Sequence, residues 1–150
     1  MLIQSMYDEI QKIISDAGED VDFADFGHGI SKEWIALAES RLGVVFPDSY
    51  KWWLRNYSGG EVYGEEIYSI YGLDFDIVVG GDIVYINELN RKASSDYNDK
   101  LIICESDDAM FYFDLSQGMK GGEYPVYEYF SKTCYAENFI AFLKRRILEV

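Results

Sequence analysis

The side chains with the widest chemical repertoire are scarce in this sequence. One histidine, His28, stands between Gly27 and Gly29, so no mechanism that needs two imidazoles is open to the chain. The two cysteines are Cys104, inside an apolar run, and Cys134, ahead of the last helical pattern. A nucleophilic Cys–His pair needs a thiolate in an accessible, electropositive place, and both cysteines are expected instead to be small core residues. Two cysteines 30 positions apart and one loop histidine also lack the short ligand spacings of structural zinc. The acids are more numerous: 27 Asp and Glu against 13 Lys and Arg give a net charge of −14. Asp74 with Asp76, Glu65 with Glu66, and Glu105 with Asp107 and Asp108 lie close enough to hold a hard cation or share acid–base work. They come without calcium-loop spacing or a glycine-rich phosphate loop, and acids this abundant cluster by chance. Solvated loops are therefore the expectation, with no catalytic residue, no metal and no cofactor.

What the acids can do is attract. A surface of this charge repels phosphate backbones and anionic headgroups, which argues against nucleic acid or a membrane as partner. Between Arg55 and Arg91 no basic residue occurs, while Glu61, Glu65, Glu66, Asp74, Asp76, Asp82 and Glu88 alternate with Tyr57, Tyr63, Tyr68, Tyr71 and Tyr85. Carboxylates steer a basic protein toward its complex, and tyrosines supply rigid contact area at modest entropic cost. The expected protein-binding residues are Glu61, Tyr63, Glu65, Glu66, Tyr68, Asp74, Asp76, Asp107 and Asp108.

The elements that must position these residues follow from periodicity. Leu2, Met6, Ile10, Ile13, Ile14 and Ala17 predict a helix from about Leu2 to Ala17, and Glu19 to Gly29 reads as an acidic loop. Ser31 is an N-cap for a helix ending near Leu42 before Gly43, and Pro47-Asp48 opens another whose buried stripe is Tyr50, Trp53, Leu54 and Tyr57. Gly59-Gly60 ends it. Strands are predicted at Glu66–Tyr71, Leu101–Glu105, Met110–Leu115 and Tyr124–Phe130, the second and third joined by a turn at Ser106–Ala109. Asp82–Asn90 and Tyr135–Leu148 read as helices. Helices, then strands, then a helix predict one α+β domain over residues 1–150: a twisted antiparallel sheet with helices packed on one face. With two cysteines and no export signal the expected location is cytoplasmic.

The run Ile35-Ala36-Leu37-Ala38-Glu39-Ser40-Arg41-Leu42-Gly43, then Phe46-Pro47-Asp48-Ser49-Tyr50-Lys51, Trp53-Leu54 and Gly59-Gly60, resembles the SUKH superfamily in its Smi/Knr-type branch. Asp107-Asp108 before Met110-Phe111-Tyr112-Phe113-Asp114-Leu115, followed by Gly122-Glu123-Tyr124-Pro125-Val126-Tyr127, is similar to that family's strand–turn–strand region. Phe46 stands where the family has leucine, and the usual turn glycine is missing near Ala109. The resemblance implies an α+β domain without catalytic residues. It further implies a bacterial immunity protein that binds and neutralises a cognate, basic protein toxin such as a nuclease, or else a scaffold or regulator of the cell-wall-synthesis type.

Overall fold

In the computed structural model, which describes residues 2–149, seven strands form one open sheet whose spatial order follows chain order, every neighbour antiparallel. The strands are β1 (Val21–Phe23), β2 (Gly60–Val62), β3 (Glu65–Ile67), β4 (Lys100–Glu105), β5 (Met110–Asp114), β6 (Val126–Glu128) and β7 (Thr133–Ala136). Helix α1 (Gln4–Asp16) precedes the sheet, α2 (Lys32–Leu42) and α3 (Asp48–Tyr57) are inserted between β1 and β2, α4 (Ile83–Ala93) between β3 and β4, and α5 (Phe139–Leu148) follows β7. The expected α+β class is the observed one.

The helix boundaries follow their capping chemistry. The Trp34 N–H donates to Ser31 Oγ at 3.3 Å to start α2, and Gly43 closes it with a left-handed φ of 66°. Helix α3 begins behind Pro47, but its left-handed closing residue is Ser58 rather than Gly59. Gly60 is needed for close approach instead. A Cβ there would stand 2.0 Å from the Asp22 carbonyl oxygen, so glycine is what lets β1 lie against β2. Asp82, fully buried, caps α4 by accepting from Val84 N–H at 2.9 Å and Tyr85 N–H at 3.3 Å, and its other oxygen accepts from Tyr71 N–H at 3.0 Å.

Three boundaries differ from expectation. The acidic connection after α1 contains β1, because Val21 and Phe23 alternate with Asp22 and find their partner in β2, about forty residues on, a long-range pairing that local pattern does not reveal. Residues Thr133–Ala136 pair with β6 before α5 begins at its Asn138 cap, so Tyr135 and Ala136 belong to a strand. Cys134 is exposed on that strand rather than buried. The predicted strands at Glu66–Tyr71 and Tyr124–Phe130 are each cut to three residues, β3 and β6.

Alternation along β5 assigns the two faces of the sheet. Phe111 and Phe113 point toward the helices, packing at 5.3 Å from Phe142 and 6.0 Å from Phe139, while Tyr112 points the other way. On the helix side Phe46, Tyr50, Trp53, Phe113, Phe139 and Phe142 are fully buried, and the Tyr50 hydroxyl donates to the Tyr68 carbonyl at 2.6 Å, tying α3 to the segment after β3. Beside β4 the ladder from β3 is short, with Ile67 opposite Cys104 as its one register pair. Asn87 of α4 replaces the missing strand: its Oδ1 accepts from Ile102 N–H at 2.7 Å and its Nδ2 donates to Ile102 O at 3.0 Å.

Candidate functional site: an acidic groove on the sheet

Two hairpin ends converge on one side of the sheet. The β2–β3 connection is the pair Tyr63-Gly64 with φ of 51° and 80°, the two positive values of a tight primed turn, and the Tyr63 hydroxyl donates to Ile147 O at 2.6 Å, fastening the hairpin to α5. The β4–β5 turn lies where the sequence places it. Ser106 N–H donates to Ala109 O at 2.8 Å, leaving Asp107 and Asp108 exposed. Between these ends Gly64, Glu65, Glu66, Glu105, Ser106, Asp107 and Asp108 line a groove of about 530 Å³.

Five carboxylates thus share one concavity, and their internal partners are few. Arg146 of α5 donates to Glu65 at 2.9 Å, while Glu66, Glu105, Asp107 and Asp108 form no ion pair among the described residues. Tyrosine hydroxyls serve two of them: Tyr68 donates to Glu105 at 3.0 Å and Tyr71 to Glu66. Burial, reinforced by Glu105, pushes the Tyr68 phenol well up, and burial with the Glu66 hydrogen bond pushes Tyr71 up to about 12, so both remain donors at any physiological pH. The Glu66 carboxylate lies close against Gly81, where a Cβ would stand 2.1 Å from it and displace it. The acidic row extends across the strands, with Asp22 opposite Glu61 and Glu61 opposite Glu66. Like charges in directly opposed positions repel.

The expected binding residues therefore divide. Glu65, Glu66, Asp107 and Asp108 come together in the groove, and Glu61 flanks it. Tyr63 stands at its rim, 37% exposed, whereas Tyr68 is buried and supports Glu105. Asp74 and Asp76 belong to a separate loop after β3. There Asp74 accepts from Asp76 N–H at 2.9 Å, and Arg41 of α2 holds Asp76 at 2.9 Å and Glu88 of α4 at 2.8 Å. The loop between Tyr71 and Gly81 also exposes Leu73, Ile77 and Val79, the most exposed of them being Ile77 at 73%. Sequence reasoning did not gather Asp22, whose signal was the Val-Asp-Phe alternation, nor the tyrosines of the later strands.

Chemistry of the reactive type finds little support in the geometry. Cys104 is buried behind Glu65, Glu66 and Glu105, and burial pushes its thiol up to about 12, which keeps it protonated at neutral pH. His28 lies in the loop before α2, where its backbone N–H donates to the carbonyls of Asp25 and of Asn56 in α3. No three His, Cys, Asp or Glu side chains converge in a metal-holding arrangement among the described residues, and the pairs Asp74/Asp76 and Asp107/Asp108 stand in different places. No helix there is long and apolar enough to cross a membrane.

Residues 29–145 match the family model described as the SMI1 / KNR4 family (SUKH-1), a span that runs from the loop before α2 into α5 and includes both hairpins of the groove. By that match the chain belongs to the SMI1/KNR4 family (SUKH-1).

Proposed function

We propose that the chain is an immunity protein: it works in the cytoplasm by binding a cognate toxin domain and covering its active surface, without chemistry of its own. The observation that carries this reading is the groove in which Glu66, Glu105, Asp107 and Asp108 have no ion-pair partner among the described residues, on an open surface. Such an array stores repulsion in the free protein and releases it when a cationic surface arrives. A toxin that cleaves nucleic acid presents that kind of surface, because it must itself hold phosphates. Membership of the SMI1/KNR4 family is compatible with the role.

The test is co-expression with the product of the adjacent gene, whose toxicity is first measured alone. The expected result is survival of the host and a one-to-one complex whose association slows as salt is raised. Absence of both protection and complex overturns the reading. A stable complex with a neighbour that has no toxic activity replaces it with that of a regulatory interaction module.

A further inference from the structure

The sheet face turned away from α3 and α5 carries a second feature, remote from the groove in sequence and joined to it in space. Tyr112 points to this face because its neighbours Phe111 and Phe113 point to the helices, and Tyr127, its register partner on β6, shares that direction. The two rings stack at 6.2 Å; Tyr129 meets Tyr112 edge-on at 6.4 Å and stacks on Tyr97 at 5.7 Å; Phe130, 62% exposed, meets Tyr129 at 5.4 Å. All four tyrosines remain half-exposed.

Carboxylates surround this array. Asp96 and Glu105 act on Tyr97, whose phenol is raised by burial first and by Tyr129 and these charges next, and Asp114 and Asp99 act on Tyr112. Glu105 is common to the array and the acidic groove: it lines the groove, and its register partner Met110 precedes Tyr112 by two residues on the same face of β5, with the Tyr129 N–H donating to Met110 O at 2.8 Å. The protein already shows what the array receives: the Lys100 ammonium, held by Asp99 at 2.9 Å, lies 5.4 Å from the Tyr112 ring centre. An electron-rich ring face inside a negative rim attracts ammonium and guanidinium groups, and it gains more as they lose water.

We propose that Tyr97, Tyr112, Tyr127 and Tyr129, continuous with the acidic groove through Glu105, form a docking face for lysine and arginine side chains of a basic protein segment. The proposal rests on the reading that the chain works by binding a basic protein, and it commits that reading to a surface. Carboxylates of the groove draw the partner in, and the tyrosine rings seat its cationic side chains.

The experiment has two arms. In the first, a nona-arginine peptide is titrated into protein carrying ¹³C-labelled tyrosine, and the ring resonances are followed. Those of Tyr112, Tyr127 and Tyr129 are expected to move while those of buried Tyr50 and Tyr57 stay. The variant Y112L/Y127L is expected to bind the peptide about 5- to 30-fold more weakly, and Y112F/Y127F, which keeps both rings, within about twofold of the parent. Thermal melts establish that both variants are folded; should the leucine pair fail to fold, the single variant Y127L, expected to weaken binding about 2- to 5-fold, replaces it. Unchanged affinity in the leucine variant, or ring shifts confined to other tyrosines, overturns the proposal. In the second arm the same variants are titrated against the toxin domain that the product of the adjacent gene is expected to carry. If that domain is neutralised equally by parent and leucine variant, this face is not the docking site although the immunity reading stands. If the peptide finds the array and the toxin domain is not bound, the immunity reading fails and the cation-receiving face remains.

Discussion

At the end of α2 one guanidinium, that of Arg41, holds Asp76 at 2.9 Å and Glu88 at 2.8 Å, while at the ends of the β2–β3 and β4–β5 hairpins five carboxylates share a groove whose arginine, Arg146, is engaged with Glu65 alone. Both places come from the same long stretch of sequence without a basic residue or from its spatial neighbours. They differ because α2 packs on α4 and carries Arg41 to the first, whereas the second lies at hairpin tips where the β4–β5 turn adds Asp107 and Asp108 and β2 sets Glu61 opposite Glu66. Hydrogen bonds donated to Glu88 and Asp76 hold the Arg41 guanidinium even more firmly protonated than usual. Acid density alone therefore does not mark a binding surface. What marks one is acid density that the fold declines to neutralise.

The sharpest way to break this contrast is to reverse charge in each place by the same amount. Asp107→Lys/Asp108→Lys and Asp74→Lys/Asp76→Lys alter the net charge equally, so any effect of global attraction cancels between them. The first pair is expected to slow association with the toxin domain about tenfold or more at low ionic strength, and the second by no more than about twofold. Stopped-flow association rates at several salt concentrations measure both. Equal slowing by the two pairs would show that only net charge matters. Greater slowing by the second would move the docking site to the loop that exposes Leu73, Ile77 and Val79.

Glu128 sharpens the comparison by adding a carboxylate neutralised without any cation. Burial acts to raise its pKa, but N–H groups of Met110, Phe130 and Ser131 and the Ser131 hydroxyl prevail and pull it down to about 2, below its ordinary 4.5. A folded-state pKa lowered in this way stabilises the fold above the unfolded value, and that contribution is lost as pH falls from 4.5 toward 2. The stability gap between the parent and Glu128→Gln is therefore expected to narrow between about pH 6 and about pH 3, read from urea midpoints. A gap independent of pH would mean that the N–H cluster holds the β5–β6 pairing without favouring the anion.

How far the sequence revealed all this depends on the range of the interaction. Ser31, Gly43 and the Tyr50–Tyr57 stripe fixed α2 and α3 because caps and periodicity act within a few residues. The β4–β5 hairpin was legible for the same reason. Strand β1 was not, since three residues gain a strand's geometry only from a partner inserted beyond two helices. At the site, Glu65, Glu66, Asp107 and Asp108 were found as acids, but their meeting depends on the β3–β4 pairing, and the separation of Asp76 depends on Arg41, which lies 35 residues earlier. The outward tyrosines were hidden because Tyr112 and Tyr127 differ from buried Tyr50 and Tyr124 only in which side of an element they occupy.

The smallest effect is the one that separates the two regions by sign. Glu61 faces Asp22 on one side and Glu66 on the other, so Glu61→Gln removes two cross-strand repulsions and is expected to stabilise the free protein by about 0.2–1 kcal/mol. Asp76→Asn removes the same single charge but breaks the pair with Arg41; because the Asp76 side chain is 74% exposed, the loss is expected to be only a few tenths, about 0.2–0.5 kcal/mol. Urea denaturation of both variants at low and high salt reads the difference. The gain in the first should shrink as salt screens the repulsion, while relief of the overall negative charge is common to both and cancels. Should both variants be stabilised alike, the groove is no more strained than the rest of the surface, and its carboxylates hold no repulsion for a partner to relieve. Should they differ in sign, Glu61→Gln is also expected to associate more slowly with the toxin domain, because the charge that unsettles the free sheet is the charge that attracts the partner.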